Sequence, residues 1–169
     1  MKRGINTKCL HLEDEEGCFD NYGSLSYPIY QTATYAHPAV GESTGYDYSR
    51  LQNPTREHLE KIVAALEDGI DAIALSSGMA AITLLMEIFK PGDHVIVDSD
   101  LYGGSIRLFS NVSEKNNITF SRVDCHKEKV EDYITENTKA IYIETPTNPM
   151  MNVTDIEAMA KIAHERGLL

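Results

Sequence analysis

Lys90-Pro91-Gly92-Asp93-His94-Val95-Ile96-Val97-Asp98-Ser99-Asp100-Leu101-Tyr102-Gly103-Gly104-Ser105 decides the fold class. Pro91 and Gly92 stop the mostly apolar helix expected over residues 80–89, since proline disfavours helical backbone before it and glycine favours a turn. Val95-Ile96-Val97 is then an uninterrupted β-branched run, the composition of a buried strand. Residues 98–104 turn polar and glycine-rich, and a new helix is expected over 105–112. The unit is therefore helix, strand, loop, helix.

The same unit repeats on both sides. Upstream, Thr55 is expected to cap a helix whose apolar positions Leu59, Ile62, Val63 and Leu66 share one face, with Asp68-Gly69 as its stop. Residues 70–75 form an apolar run of buried-strand length, ended by the turn Ser76-Ser77-Gly78. Downstream, Asn116-Asn117 turns the chain into a strand over 118–123. A polar helix over 128–135 precedes a strand over 140–143, which runs into Glu144-Thr145-Pro146-Thr147-Asn148-Pro149. Thr154-Asp155-Ile156-Glu157 has the spacing of a capping box and opens a last helix that Gly167 closes. Strands that alternate with helices imply an α/β fold with a mostly parallel sheet and helices on both faces. In such sheets ligands bind beyond the strand C-termini. Residues 76–78, 98–104 and 144–149 each follow an expected strand, so the three loops should gather on one edge.

Residues 1–53 lack sustained periodicity and read as an extended arm for contact between subunits, whereas 54–169 read as the first part of the α/β domain. The acidic run Glu13-Asp14-Glu15-Glu16 is a solvated segment. Leu168-Leu169 begins a further apolar run after Gly167, and natural domains rarely stop inside a core strand, so the chain is expected to be the N-terminal part of a longer protein. The net charge of −11 comes with no Lys/Arg stripe, and no stretch approaches about 20 consecutive apolar residues. Nucleic acid and membrane are therefore not expected partners. Cys9, Cys18 and Cys125 are an odd number without a C-x-x-C pair, which argues against a disulfide framework and a zinc site and for a reducing cytoplasm.

The loops carry chemistry of one kind. Gly78 and Met79 open a helix, where free amides and the helix dipole favour an anion such as phosphate. Neither G-x-x-x-x-G-K-[ST] nor G-x-G-x-x-G occurs. Arg50, in Tyr46-Asp47-Tyr48-Ser49-Arg50, suits a bidentate grip on phosphate, and Tyr48 adds a phenol donor. Tyr102 offers a ring to stack on a flat heteroaromatic ligand, and Asn148 an amide for a ring substituent. Taken alone, each has a bland reading as turn or packing chemistry. Together they match the needs of pyridoxal phosphate.

In their order, Y-D-Y-S-R-L-Q-N-P-T-R (46–56), S-S-G-M-A-A (76–81), P-G-D (91–93), D-L-Y-G-G-S (100–105) and E-T-P-T-N-P (144–149) resemble the Cys/Met metabolism family of pyridoxal-phosphate enzymes. Its members include cystathionine γ-synthase, the cystathionine lyases, methionine γ-lyase and the O-acylhomoserine sulfhydrylases. The wording is most similar to cystathionine γ-synthase and γ-lyase, and Gly104 stands where methionine γ-lyases often carry cysteine.

The resemblance implies the large domain of a fold-type I pyridoxal-phosphate transferase, incomplete here. It implies that Gly78 and Met79 hold the cofactor phosphate, that Tyr102 stacks on the pyridine ring, and that Asn148 lies near the phenolic oxygen. Tyr48 and Arg50 would reach the phosphate in a neighbouring subunit of a homo-oligomer, a pair of dimers. Tyr48 is also a candidate for assisting substrate activation. The substrate would be a sulfur amino acid or homoserine ester. The family holds the cofactor on a lysine in an S-x-T-K context and pairs the pyridine nitrogen with a V-D-N-T aspartate. Neither motif occurs in the 169 residues, so this stretch alone is expected to be inactive.

Overall fold

The structure, a computed structural model, describes residues 4–10, 24 and 26–169. The acidic run and Cys18 lie outside the described residues. The chain divides into two compact units, Met1–Leu75 and Ser76–Leu169.

In the first unit, α1 (Ile5–Lys8) is a single turn and α2 (Pro54–Leu66) the one long helix among the described residues. Between them a single antiparallel bridge, Thr34 to Tyr48, closes a loop. The cap of α2 is Asn53 and not Thr55: the Asn53 side chain accepts from the Thr55 amide at 2.9 Å, and Pro54 occupies the first helical position, where its missing N–H costs nothing. The Asn53 amide nitrogen also donates to the Tyr30 carbonyl, the Tyr35 hydroxyl and the Ser49 hydroxyl, so one residue starts the helix and ties the preceding loop to it. Thr55 serves that loop as well, accepting from the Tyr30 amide and donating to the Pro28 carbonyl. Residues 70–75 do not form the expected strand. Ile70 is fully exposed and Ile73 two-thirds exposed, with no ladder partner among the described residues.

The second unit is the α/β body. A parallel sheet has the order β2-β1-β3, with β1 (His94–Asp98) central between β2 (Thr119–Val123) and β3 (Thr138–Tyr142). Val95 faces Phe120 on one side and Ala140 on the other, and Val97 faces Arg122 and Tyr142. The Leu169 amide donates to the Lys139 carbonyl and the Ile141 amide to Leu169, both at 2.9 Å, so parallel pairing begins on the free edge of β3, as expected of 168–169.

All five residues of β1 are buried, and their alternation feeds two cores. Val95 and Val97 pack with Met86, Leu101, Phe109 and Ile118 on the face covered by α3 (Gly78–Met86) and α4 (Gly103–Leu108). Ile96 packs on the other face with Val123, Cys125 and Val130, against Met159 of α5 (Ile156–Glu165). Helices therefore cover both faces, as the alternating pattern implied. At the N-terminal end of the sheet His94 is buried between hydroxyls, Nδ1 at 2.8 Å from Thr138 Oγ1 and Nε2 at 2.9 Å from Ser121 Oγ, which links all three strands.

Other boundaries shift. The helix expected over 105–112 starts at Gly103, passes into a π-turn at Phe109–Ser113 and ends in a 3-10 turn at Glu114–Asn116. The polar helix expected over 128–135 is only the 3-10 turn Val130–Tyr133. The cap of α5 is Asp155, whose carboxylate accepts from the Ala158 amide at 3.0 Å, so Thr154 and Glu157 do not form a capping box. Thr154 instead donates its hydroxyl to buried Asp98 and its amide to the Thr145 hydroxyl, because a tertiary partner outcompetes the local cap.

Candidate functional site

β1 ends at Asp98 and β3 at Tyr142, neighbouring parallel strands, so the loops that follow them leave the sheet side by side. Burial of the Asp98 carboxylate is met by the Asp100 amide at 3.1 Å and the Thr154 hydroxyl at 3.3 Å. Asp100 in turn accepts from the Thr147 hydroxyl and from Asn152 Nδ2, the latter at 3.3 Å. Two carboxylates of the first loop thus hold the second. Thr147 is buried, and its backbone and hydroxyl both pair with Asn152, which shapes the loop between them. That loop carries exposed Asn148, with cis peptide bonds at Thr145-Pro146 and Asn148-Pro149.

The turn 76–78 leads into α3, where Ser77 caps the helix by accepting from the Ala80 amide at 3.1 Å. The amides of Gly78 and Met79 have no carbonyl one turn earlier to bind. Gly78 is exposed, and a Cβ added there would meet nothing within 4 Å.

Tyr102 meets this helix start. A Cβ built on Gly104 would lie 2.4 Å from Tyr102 Cε1 and 2.7 Å from Met79 Sδ, so ring and thioether converge over the one residue without a side chain. The ring is nearly half exposed. Its backbone is fixed by Glu144: the Tyr102 amide donates to Oε2 at 2.8 Å, while Oε1 accepts from the Ser105 hydroxyl at 2.7 Å and the Tyr142 hydroxyl at 3.0 Å. Burial, and then the Glu144 charge, push the Tyr142 phenol up to about 12, which keeps it a protonated donor.

In the first unit Tyr48 and Arg50 stand together. The Arg50 guanidinium lies 4.9 Å from the Tyr48 ring centroid, a cation–π contact, and both side chains are exposed. Nearby, Tyr46 donates its hydroxyl to Glu57, which Lys61 also binds; the bond to Glu57 raises the phenol's pKa. Cys125 is buried, and burial together with the Asp98 charge pushes its thiol up to about 12, which makes it an inert thiol.

The arrangement matches a known set of proteins. The Cys/Met metabolism PLP-dependent enzyme family matches residues 6–169. The chain belongs to this family. It is 51% identical over 174 residues to a Bacillus subtilis protein named cystathionine gamma-synthase/O-acetylhomoserine (thiol)-lyase, covering all of this chain and 45% of that one. It is also 51% identical to a cystathionine gamma-lyase of the same organism, over 87% of this chain and 39% of that one. Among solved structures, cystathionine gamma-lyase from Lactobacillus plantarum, complexed with L-serine, superposes with a TM-score of 0.87 at 42% identity, covering 99% of this chain and 43% of that one. The chain thus spans less than half the length of these relatives.

The fold is accordingly that of the family's cofactor-binding domain, and the cofactor of the family is pyridoxal phosphate. The second unit's residues fit that group. Two amides at a helix start with no intrahelical partner, the first on exposed Gly78, suit a phosphate, and the half-exposed Tyr102 ring beside Met79 suits a flat heterocycle. Of the expected residues, the structure brings Met79 and Tyr102 together and puts Asn148 on the loop anchored to the same strand end. Tyr48 and Arg50 pair with each other in the first unit. Sequence reasoning missed Glu144, Ser105 and the Asp98–Asp100 anchors. The signal for the carboxylates was an acidic residue at or within two residues of a strand's end, at 98, 100 and 144, too ordinary to single out from local sequence.

Proposed function

We propose that the protein containing this chain is a pyridoxal-phosphate transsulfuration enzyme that makes cystathionine from an O-acylhomoserine and cysteine. The carrying observation is the convergence of Tyr102 and Met79 over Gly104 at a helix start with unpaired amides. The 51% identity to a gamma-synthase that covers all of this chain supports the choice of reaction. A cystathionine gamma-lyase is the nearest alternative, supported by equal identity over a shorter span.

In this reading the Gly78 and Met79 amides bind the cofactor phosphate, aided by the dipole of α3. Tyr102 covers one ring face and Asn148 bonds the phenolic oxygen. When bound, the cofactor supplies an electron sink that lets a substrate lose its α-proton. Tyr48 and Arg50 serve a neighbouring subunit's site in a cytoplasmic homo-oligomer, with Arg50 gripping phosphate and Tyr48 assisting substrate activation. The preformed Arg50–Tyr48 contact supports that role, since it holds the guanidinium at the surface in one place. The 169 residues alone are inactive, because they contain no lysine in an S-x-T-K context. A non-catalytic assembly protein of the same fold is the second reading, and the cofactor-binding measurement separates the two.

The test is the natural-length protein supplied with pyridoxal phosphate, an O-acylhomoserine and cysteine. Cystathionine formation, with a visible absorbance band that borohydride abolishes, is the expected outcome. Breakdown of cystathionine without synthesis would replace synthase by lyase. A protein that neither binds the cofactor nor turns over either substrate would be the assembly protein.

A further inference from the structure

We infer that Glu144 is a positioning residue that sets the Tyr102 ring for the cofactor. The inference deepens the proposed function and rests on its reading of Tyr102 as the ring's stacking partner.

Three donors from two separate elements converge on this one carboxylate. Ser105 Oγ, on fully buried Ser105 in α4, and the Tyr142 phenol, on β3, both bind Oε1, at 2.7 and 3.0 Å. They fix the carboxylate plane and leave Oε2 for the Tyr102 amide at 2.8 Å. Tyr102 has no side-chain hydrogen bond among the described residues. Its polar holds are therefore main-chain: the amide on Glu144, and the carbonyl accepting from Ile106 at 3.2 Å. The ring sits in the space that Gly104 leaves free, its Cε1 and Cδ1 2.4 and 2.9 Å from where a Cβ would be. A carboxylate at the start of the loop after β3 thus decides where the ring after β1 can lie. Because a charged acceptor holds an amide more firmly than a neutral one, the residue is suited to a preorganised ring.

Glutamine keeps a carbonyl oxygen for the Tyr102 amide, and its NH2 can face the Ser105 and Tyr142 hydroxyls, which can accept. Leucine keeps the bulk and removes every acceptor. The experiment uses the natural-length protein and its Glu144→Leu, Glu144→Gln, Tyr102→Leu and Glu144→Leu/Tyr102→Leu variants. Pyridoxal phosphate is titrated and followed by the induced circular dichroism of its visible band. E144L is expected to weaken binding about tenfold and alter the band, and E144Q to stay within about threefold of the parent. In the Y102L background E144L should add no further loss. The same fold-loss in both backgrounds, or unchanged binding in folded E144L, would overturn the inference.

A second readout needs no cofactor. Amide hydrogen exchange across residues 101–105 should speed up in E144L and return towards the parent rate in E144Q; unchanged exchange in E144L would overturn positioning. If the parent binds no pyridoxal phosphate, the functional reading fails, whereas the exchange result still decides whether Glu144 holds Tyr102. Should E144L not fold, Ser105→Ala removes one donor to Oε1 and is expected to shift affinity and exchange in the same direction by less. No shift in either would count against the inference.

Discussion

Gly104 shows how one residue's missing side chain can be read as function. With Tyr102 Cε1 2.4 Å from its would-be Cβ, Gly104→Ala must turn the ring or displace it. An aromatic contact of this kind is worth about 0.5–1.5 kcal/mol, so pyridoxal phosphate affinity is expected to fall about threefold to tenfold while the melting temperature changes little. Titration of the variant beside its parent checks this. His94 makes a different demand. Burial lowers its pKa, and the neutral ring between Thr138 and Ser121 is the form the fold accommodates. Because the folded value lies below the unfolded one, near 6.5, the contribution to stability is present above that pH. It is lost as pH falls through the folded value. Denaturant midpoints measured from pH 7.5 down to 5 should drop more steeply for the parent than for His94→Gln. Cys125, pushed up to about 12, should resist iodoacetamide at pH 8 until the chain unfolds, whereas exposed Cys9 should react at once; peptide mass mapping separates the two.

Among the elements, the β-branched runs were legible locally, whereas the polar helix over 128–135 shrank to the 3-10 turn Val130–Tyr133 and what depends on a distant partner was not legible. The run Val95-Ile96-Val97 became the central strand because its composition already demands burial on two faces. Residues 70–75 have an equally apolar composition and form no strand, since a strand is made by its neighbour and none pairs with them among the described residues. Both mistaken caps have one physical cause. Thr55 and Thr154 are good capping residues, but each hydroxyl has a long-range partner, Pro28 and Asp98 respectively, and the adjacent Asn53 and Asp155 cap instead. Asp155→Ala should therefore cost about 1 kcal/mol of stability, read as a shifted urea midpoint. Of the site, the loops and their ring and amide residues were legible because turn chemistry is local. Glu144 was not, because its role exists only where residues 102, 105 and 142 meet.

Each unit exposes large apolar side chains among its described residues. In the first unit Ile70, Ile73 and Leu75 are exposed, and in the second Leu84, Leu85 and Ile88 along and after α3. Surface of this kind calls for cover by further protein, and the 169-residue chain alone is expected to self-associate as concentration rises, checked by light scattering across a dilution series. The proposed site is more specific: pyridoxal phosphate would lie at the sheet edge formed by Gly78, Met79 and Tyr102. The most direct measurement is a crystal structure of the natural-length protein grown with the cofactor. The phosphate is expected on the Gly78 and Met79 amides and the ring against Tyr102, with Glu144 still bound to the Tyr102 amide. A cofactor bound elsewhere, or a phosphate at a different loop with Tyr102 out of contact, would contradict the proposed site.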